Sequence, residues 1–253
     1  RAMTELLPLL VEARPATESG RAALERIRKW DARMLADAPE PLIATAWVDR
    51  LRKLMFEDEV GEELFPLVER QRVRTRAMYK ALTVQGQEKW CDDVRTQEVE
   101  RCAQLLDRAL DESVQDLRKR YGDDIAAWRW GDAHAAVSEH RPFSRQALLA
   151  KVFEIRVPSP GDVHTVNVGR NNPWDPAEPF ANRWAASLRA IYDLSNPDNS
   201  RFIHSTGQSG HVLSPHYRDM ADRWARVEYL PMVTSRAAIE KDAYSTLVVK
   251  PVR

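Results

Sequence analysis

Apolar residues recur at spacings of three and four through the first 121 positions, and that period commits the stretch to amphipathic helices. Ala23, Leu24, Ile27, Trp30, Met34 and Leu35 make one stripe, with Thr17 or Ser19 placed to cap its start. A second helix opens near Pro41, carries Ile43, Trp47, Leu51, Leu54 and Met55, and is punctuated by Gly61. A third carries Leu64, Val68, Thr75, Met78 and Leu82, with Pro66 tolerated in its first turn. A fourth is expected from about Asp92, through Val99, Cys102, Leu105, Leu106, Ala109, Leu110, Val114 and Leu117, to a stop at Tyr121-Gly122. Amphipathic helices of this kind need a shared surface to bury.

After Gly122 the chain changes character. Prolines and short extended runs appear, which predicts a helical region over 1–122 and a mixed α/β region over 123–253, an α+β fold. Alternation over Val163 to Val168 predicts a strand entered from the turn Gly161-Asp162. Strands are also expected over Trp184–Asp193, Arg201–His204 and Tyr244–Lys250, and a proline-rich loop over 170–182. Ser214-Pro215 reads as a helix start, with the helix running through Trp224. So small a sheet has edges that need covering, which points to a missing partner segment.

Composition excludes several classes. Lys plus Arg and Asp plus Glu both number 38, so no global field favours nucleic acid or an anionic membrane. The apolar runs fall far short of the roughly 20 residues a membrane-spanning helix needs. The first residues, RAMTELLPLLVEARP, do not read as a secretory signal. Cys91 and Cys102, the two cysteines, are expected on one helix roughly 16 Å apart, hence unable to bridge, and are read as small buried apolar side chains. The arginines in Glu69–Arg76 spread around a helix and read as a solvated face.

Local chemistry offers one tempting cluster. Ser209 sits between Gly207 and Gly210, with His204, His211 and His216 nearby and Asp193 and Asp219 as orienting carboxylates. A nucleophile elbow wants glycine two positions to either side of the serine, and His211 occupies the second of these. A glycine turn is therefore the expectation, with Gly210 among the residues that cannot carry a side chain. His134 reads as a hydrogen-bonded core or interface residue. No histidine or cysteine spacing matches a metal site.

Three stretches together resemble the penicillin acylase (penicillin amidase) family of N-terminal nucleophile hydrolases. They are Trp130-Gly131-Asp132 with His134 and His140-Arg141-Pro142-Phe143; Gly161-Asp162 leading to Thr165-Val166-Asn167; and Leu188 to Leu194, Gly207-Gln208-Ser209-Gly210 and Ser214-Pro215-His216-Tyr217, followed by Asp219, Trp224 and Tyr229 to Met232. The chain departs from the family at His211, where Asn is common, at Met220, where Gln is, and at Val227, where Gly is. These departures bear on substrate and subfamily.

The resemblance implies the C-terminal portion of the large (β) chain of an autocatalytically cleaved precursor, completing an αββα sandwich. In such enzymes the first residue of the large chain, usually serine, is the nucleophile, and its own α-amino group, with a pKa of about 8, is the base. Arg1 has no nucleophilic lone pair, so the nucleophile and the oxyanion asparagine are expected upstream of it. No catalytic residue, cofactor ligand or metal ligand is mapped onto this chain. The implied partners are the small α chain and the nucleophile-bearing part of the β chain, with self-association of the fragment when these are missing. The implied activity is cleavage of linear amides through an acyl-enzyme, the implied location periplasmic or exported, and the fragment alone inactive. The alternatives are a helical interaction module without enzymatic activity and an autonomous serine hydrolase acting through Ser209.

Overall fold

The computed structural model describes residues 2–69, 74–173 and 175–251. Its helices are α1 (Ala2–Leu10), α2 (Glu18–Lys29), α3 (Glu40–Val60), α4 (Phe65–Glu69), α5 (Arg74–Thr83), α6 (Cys102–Tyr121), α7 (Trp130–Ala133), α8 (Ala147–Phe153), α9 (Ala221–Ala225) and α10 (Arg236–Asp242). The strands are β1 (Ala136–Ser138), β2 (Ile155–Val157), β3 (Gly169–Arg170), β4 (Trp184–Ala185), β5 (Leu188–Ile191), β6 (Arg201–His204) and β7 (Leu230–Pro231). Helices with small sheets make the fold α+β. The packing gives two compact units, 1–137 with 156–185, and 138–155 with 186–253, a partition different from the 122/123 boundary drawn on composition.

In the first unit α3 and α6 form the most extensive helix pair. Buried residues of α6 fall at 105, 106, 109, 110, 113, 114 and 117, a stripe of helical period that meets Ile43, Ala44, Trp47, Val48 and Leu51 of α3. Trp47 is fully buried and its indole Nε1 donates to Leu106 O at 2.9 Å, so the largest side chain in the seam leaves no orphaned donor. Arg50 of α3 pairs with Glu112 and Asp116 of α6 at the rim. Thr17 caps α2 by accepting from Gly20 N at 2.9 Å, and Asp111 of α6 receives Ala16 N at 2.8 Å, which ties the start of α2 to the bundle. Gly61 and Gly122 end α3 and α6 with φ of 79° and 87°.

Several expectations are corrected. The expected third helix is described on either side of residues 70–73 of the arginine run, as α4 and α5, and those four residues lie outside the described residues. The fourth begins at Cys102, not near Asp92. Asp92 accepts from Glu100 N, Glu100 accepts from Asp93 N, both at 3.0 Å, and Val94 N donates to Asp58, so carboxylates hold 92–101 as a loop. Val99, counted in the stripe, is exposed. Cys91 ends a short 3₁₀ turn (Glu88–Cys91) and Cys102 opens α6, so the two lie at the ends of this loop and form a disulfide, with Cα atoms 4.9 Å apart. Reading both on one helix is what made a bridge look unreachable.

Residues 163–168 are a turn, not a strand. The Thr165 hydroxyl accepts from Asp162 N at 2.8 Å, His164 N donates to the Asp162 carboxylate at 2.8 Å, and Val166 is fully exposed. The expected strand over Trp184–Asp193 is two short strands, β4 and β5, and 244–250 carries no regular structure. The helix expected from Ser214 starts only at Ala221, because 214–220 is held in turns against another loop.

In the second unit β5, β6 and β7 form an antiparallel sheet in that order, with Leu188 opposite His204 and Ile191 opposite Arg201. Ile203 and Trp224 are buried beneath it. Trp224 Nε1 donates to Ala186 O at 2.8 Å, and the Arg189 guanidinium lies over its ring at 4.5 Å while donating to Trp224 O. Helix α9 ends into Val227 at φ 61°, the left-handed region that a β-branched residue adopts only with strain. Val227→Gly is therefore expected to stabilise the chain by about 1 kcal/mol, the relief of strain outweighing glycine's greater unfolded-state entropy; a shift of the urea midpoint to lower concentration would show the strain to be absent.

Candidate functional site

Two polar clusters gather the residues singled out in the sequence, one in each unit. In the first unit the backbone of Trp130 and Gly131 donates to Ala38 O and Ala36 O at 3.0 and 2.7 Å, and Gly161 N donates to Met34 O at 2.8 Å. Trp130, fully buried, donates through Nε1 to Gly161 O at 2.9 Å and stacks on His134, with ring centroids 4.3 Å apart. Residues 130–134, 161 and 34–38 are thus sewn together by backbone and one indole.

His134 is 1% exposed. Its Nδ1 lies 2.7 Å from Phe180 O, and since a carbonyl only accepts, Nδ1 carries the proton and Nε2 the lone pair. Asn182 Nδ2 donates to Ser159 Oγ at 3.2 Å, and Ser159 in turn donates to His134 O at 2.6 Å. Asn182 also pairs through its backbone, N to Ala135 O at 2.9 Å and O from Val137 N at 3.0 Å. Gly169 packs against this group so closely that a Cβ would stand 2.7 Å from His134 Nε2 and 2.5 Å from the Asn182 amide. Ser159, Gly169 and Asn182 carried no signal in the sequence, since the groups they meet lie far along the chain, 25 and 23 positions away for the two hydrogen bonds of Ser159.

Burial pushes His134 down from 6.5 to about 4, against the opposing pull of the Phe180 carbonyl. The sealed Nε2 cannot meet a substrate, so the histidine is a structural part of the core. It also sets a pH dependence. Unfolded, the imidazole takes its proton near 6.5; folded, it refuses until about 4. The stability this contributes, on the order of 3 kcal/mol, is fully present above pH 6.5 and is lost as pH falls from there through 4. Urea denaturation of wild type and His134→Gln between pH 7 and 4 is expected to show a steeper loss in the wild type; parallel profiles would contradict it.

In the second unit Ser209 N donates to His216 O at 3.0 Å and Met220 N to Thr206 O at 3.1 Å, which pairs the loop at 206–209 with 216–220. Gly207 makes this approach feasible, since a Cβ there would lie 2.0 Å from His216 O. The Ser209 hydroxyl accepts from His211 N at 3.1 Å. His216 Nδ1 meets Asp219 Oδ2 at 2.9 Å. His204 faces Thr206, and His211 accepts from Leu213 N at 3.2 Å. Asp193 is a turn cap, held at a pKa of about 2 by the Ser195 hydroxyl, Asn196 N and the Asn199 amide. The structure thus brings His216 to Asp219, but among the described residues no histidine ring nitrogen hydrogen-bonds the Ser209 hydroxyl, so the triad geometry is not formed. Gly210, expected to be intolerant, faces open space. No group of three or more potential metal ligands occurs among the described residues.

The residues singled out in the sequence thus build turns in one unit and a buried polar core in the other. A family model described as penicillin amidase matches residues 1–241, and the chain belongs to that family. It is 26% identical over 249 residues to the acyl-homoserine lactone acylase QuiP of Pseudomonas syringae pv. syringae (strain B728a), covering 94% of this chain and 30% of that protein. It is 33% identical over 150 residues to the penicillin acylase 2 proenzyme of Pseudomonas sp. (strain SE83), covering 58% of this chain and 18% of that one. A solved thermostable penicillin G acylase from Alcaligenes faecalis shares the fold at a TM-score of 0.50 and 17% identity, over all of this chain and 47% of that one. The chain thus spans about 30% of the length of the acyl-homoserine lactone acylases it resembles.

Proposed function

We propose that this chain is the C-terminal portion of the large chain of an amidohydrolase that cleaves linear amides through an acyl-enzyme. The nucleophile and its oxyanion donors come from sequence outside residues 1–253, and the chain by itself is inactive. The similarity to acylases along residues 1–241 carries this reading. The Ser209 turn supports it, since its hydroxyl is engaged by backbone and not by a base.

In this reading β5 is the edge at which the three-stranded sheet continues into an αββα sandwich, for Leu188 and Ile191 are exposed on a strand paired on one side only. The small α chain and the rest of the β chain cover such surface, and without them the fragment self-associates. The Cys91–Cys102 disulfide fits an exported or periplasmic protein, where thiols oxidise and stay oxidised. Acyl-homoserine lactones and acylated β-lactams are the two substrate classes to try first, both presenting a linear amide.

Assays of the full-length processed protein and of residues 1–253 against an acyl-homoserine lactone and an acylated β-lactam test the proposal. Turnover is expected from the first alone. Ser209→Ala in the full-length protein is expected to keep kcat within about threefold, whereas loss of a nucleophile costs about a millionfold. A folded Ser209→Ala protein without turnover would overturn the assignment.

A further inference from the structure

The two sulfurs of the disulfide sit in different surroundings. Cys91 is fully buried within the helical core, whereas Cys102 is only partly buried and lines a surface cavity of about 720 Å³. The rim carries Glu88, Asp92 and Glu100 against Lys89 and Arg101, an excess of carboxylates that favours an uncharged or cationic visitor over an anionic one. The loop between the cysteines is largely exposed and held elsewhere by hydrogen bonds of carboxylates to backbone, among them Val94 N to Asp58 at 3.0 Å.

We propose that Cys102 is the point at which small aminothiols or neutral thiols open this disulfide, which makes the bond a thiol-sensitive clasp on residues 92–101. Exchange requires a thiolate to reach one sulfur, and which sulfur is reached decides the product. Attack of the thiolate forms a new S–S bond to Cys102 Sγ and breaks the bond to Cys91, whose sulfur departs with the electron pair and takes a proton as the loop loosens. A second thiol then attacks the mixed disulfide and releases Cys102 as a thiol. In balance, two small thiols become one small disulfide and the protein disulfide becomes two thiols. The seam between α3 and α6 is packed by the buried side chains of those two helices, so opening frees the loop and leaves that seam in place.

The test treats the folded protein with cysteamine below denaturing conditions, quenches with acid, alkylates and maps peptides by mass spectrometry, with hydrogen exchange in parallel. The expected result is cysteamine on Cys102 and alkylation on Cys91, with the opposite pattern rarer by about tenfold or more. Amide exchange should accelerate within 92–101 and stay unchanged in α3 and α6. Adduct mainly on Cys91, an even mixture, no opening short of unfolding, free thiols in untreated protein, or loss of protection throughout α3 and α6 would each overturn the proposal.

Discussion

Gly207→Ala is expected to cost more than about 3 kcal/mol and to leave much of the second unit unfolded, while Gly210→Ala, three residues on, is expected to be nearly neutral. At position 207 the added carbon would stand 2.0 Å from His216 O, 2.7 Å from Tyr217 C and 2.8 Å from the Asp219 carboxylate. Two of these atoms are backbone and cannot turn aside. Relief would require the paired loops to part, with loss of the bonds from Ser209 N to His216 O and from Met220 N to Thr206 O. At position 210 a Cβ meets nothing within 4 Å. Thermal unfolding of the two variants side by side separates the cases, and equal midpoints would show that the loops are not paired in solution.

Trp130→Ala is expected to destabilise the first unit by about 3–5 kcal/mol, the usual range for removing a buried aromatic. The loss has three parts: apolar area in a fully buried site, the stack on His134, and the indole donor to Gly161 O. Trp130→Phe keeps most of the area but orphans the carbonyl, and should cost about 1–3 kcal/mol. Urea denaturation followed by far-UV circular dichroism gives both values. A loss under about 1 kcal/mol for the alanine variant would mean that 130–134 does not anchor the bundle.

Where one face of a segment is buried, the sequence announced it: α3 and α6 were legible because Trp47, Leu51, Leu106, Leu110 and Leu117 keep a helical period that packing then uses. Their glycine ends were legible for the backbone angles glycine allows. The failures are places where side chains bond their own backbone. Asp92, Glu100, Asp162 and Thr165 override an apolar pattern by offering local partners, so Val99 and Val166 end up in solvent despite their spacing. Ser214-Pro215 failed differently, since a helix there would withdraw the His216 carbonyl from Ser209. The buried polar core was half legible. Trp130, His134 and Gly161 stood out as a family pattern, but Ser159, Gly169 and Asn182 acquire meaning only when the chain returns. Val227 shows the reverse, a departure from a glycine pattern whose physical cost, a left-handed φ of 61°, is visible only in the fold.

The most direct test of the central claim is to label the full-length processed enzyme and residues 1–253 alone with a fluorophosphonate probe and map the adduct. The account predicts one adduct in the full-length enzyme, on a residue outside 1–253, suppressed by an amide substrate, and no labelling of the isolated chain. An adduct on Ser209 in either preparation, lost together with turnover on Ser209→Ala, would place the nucleophile in this chain and contradict the account.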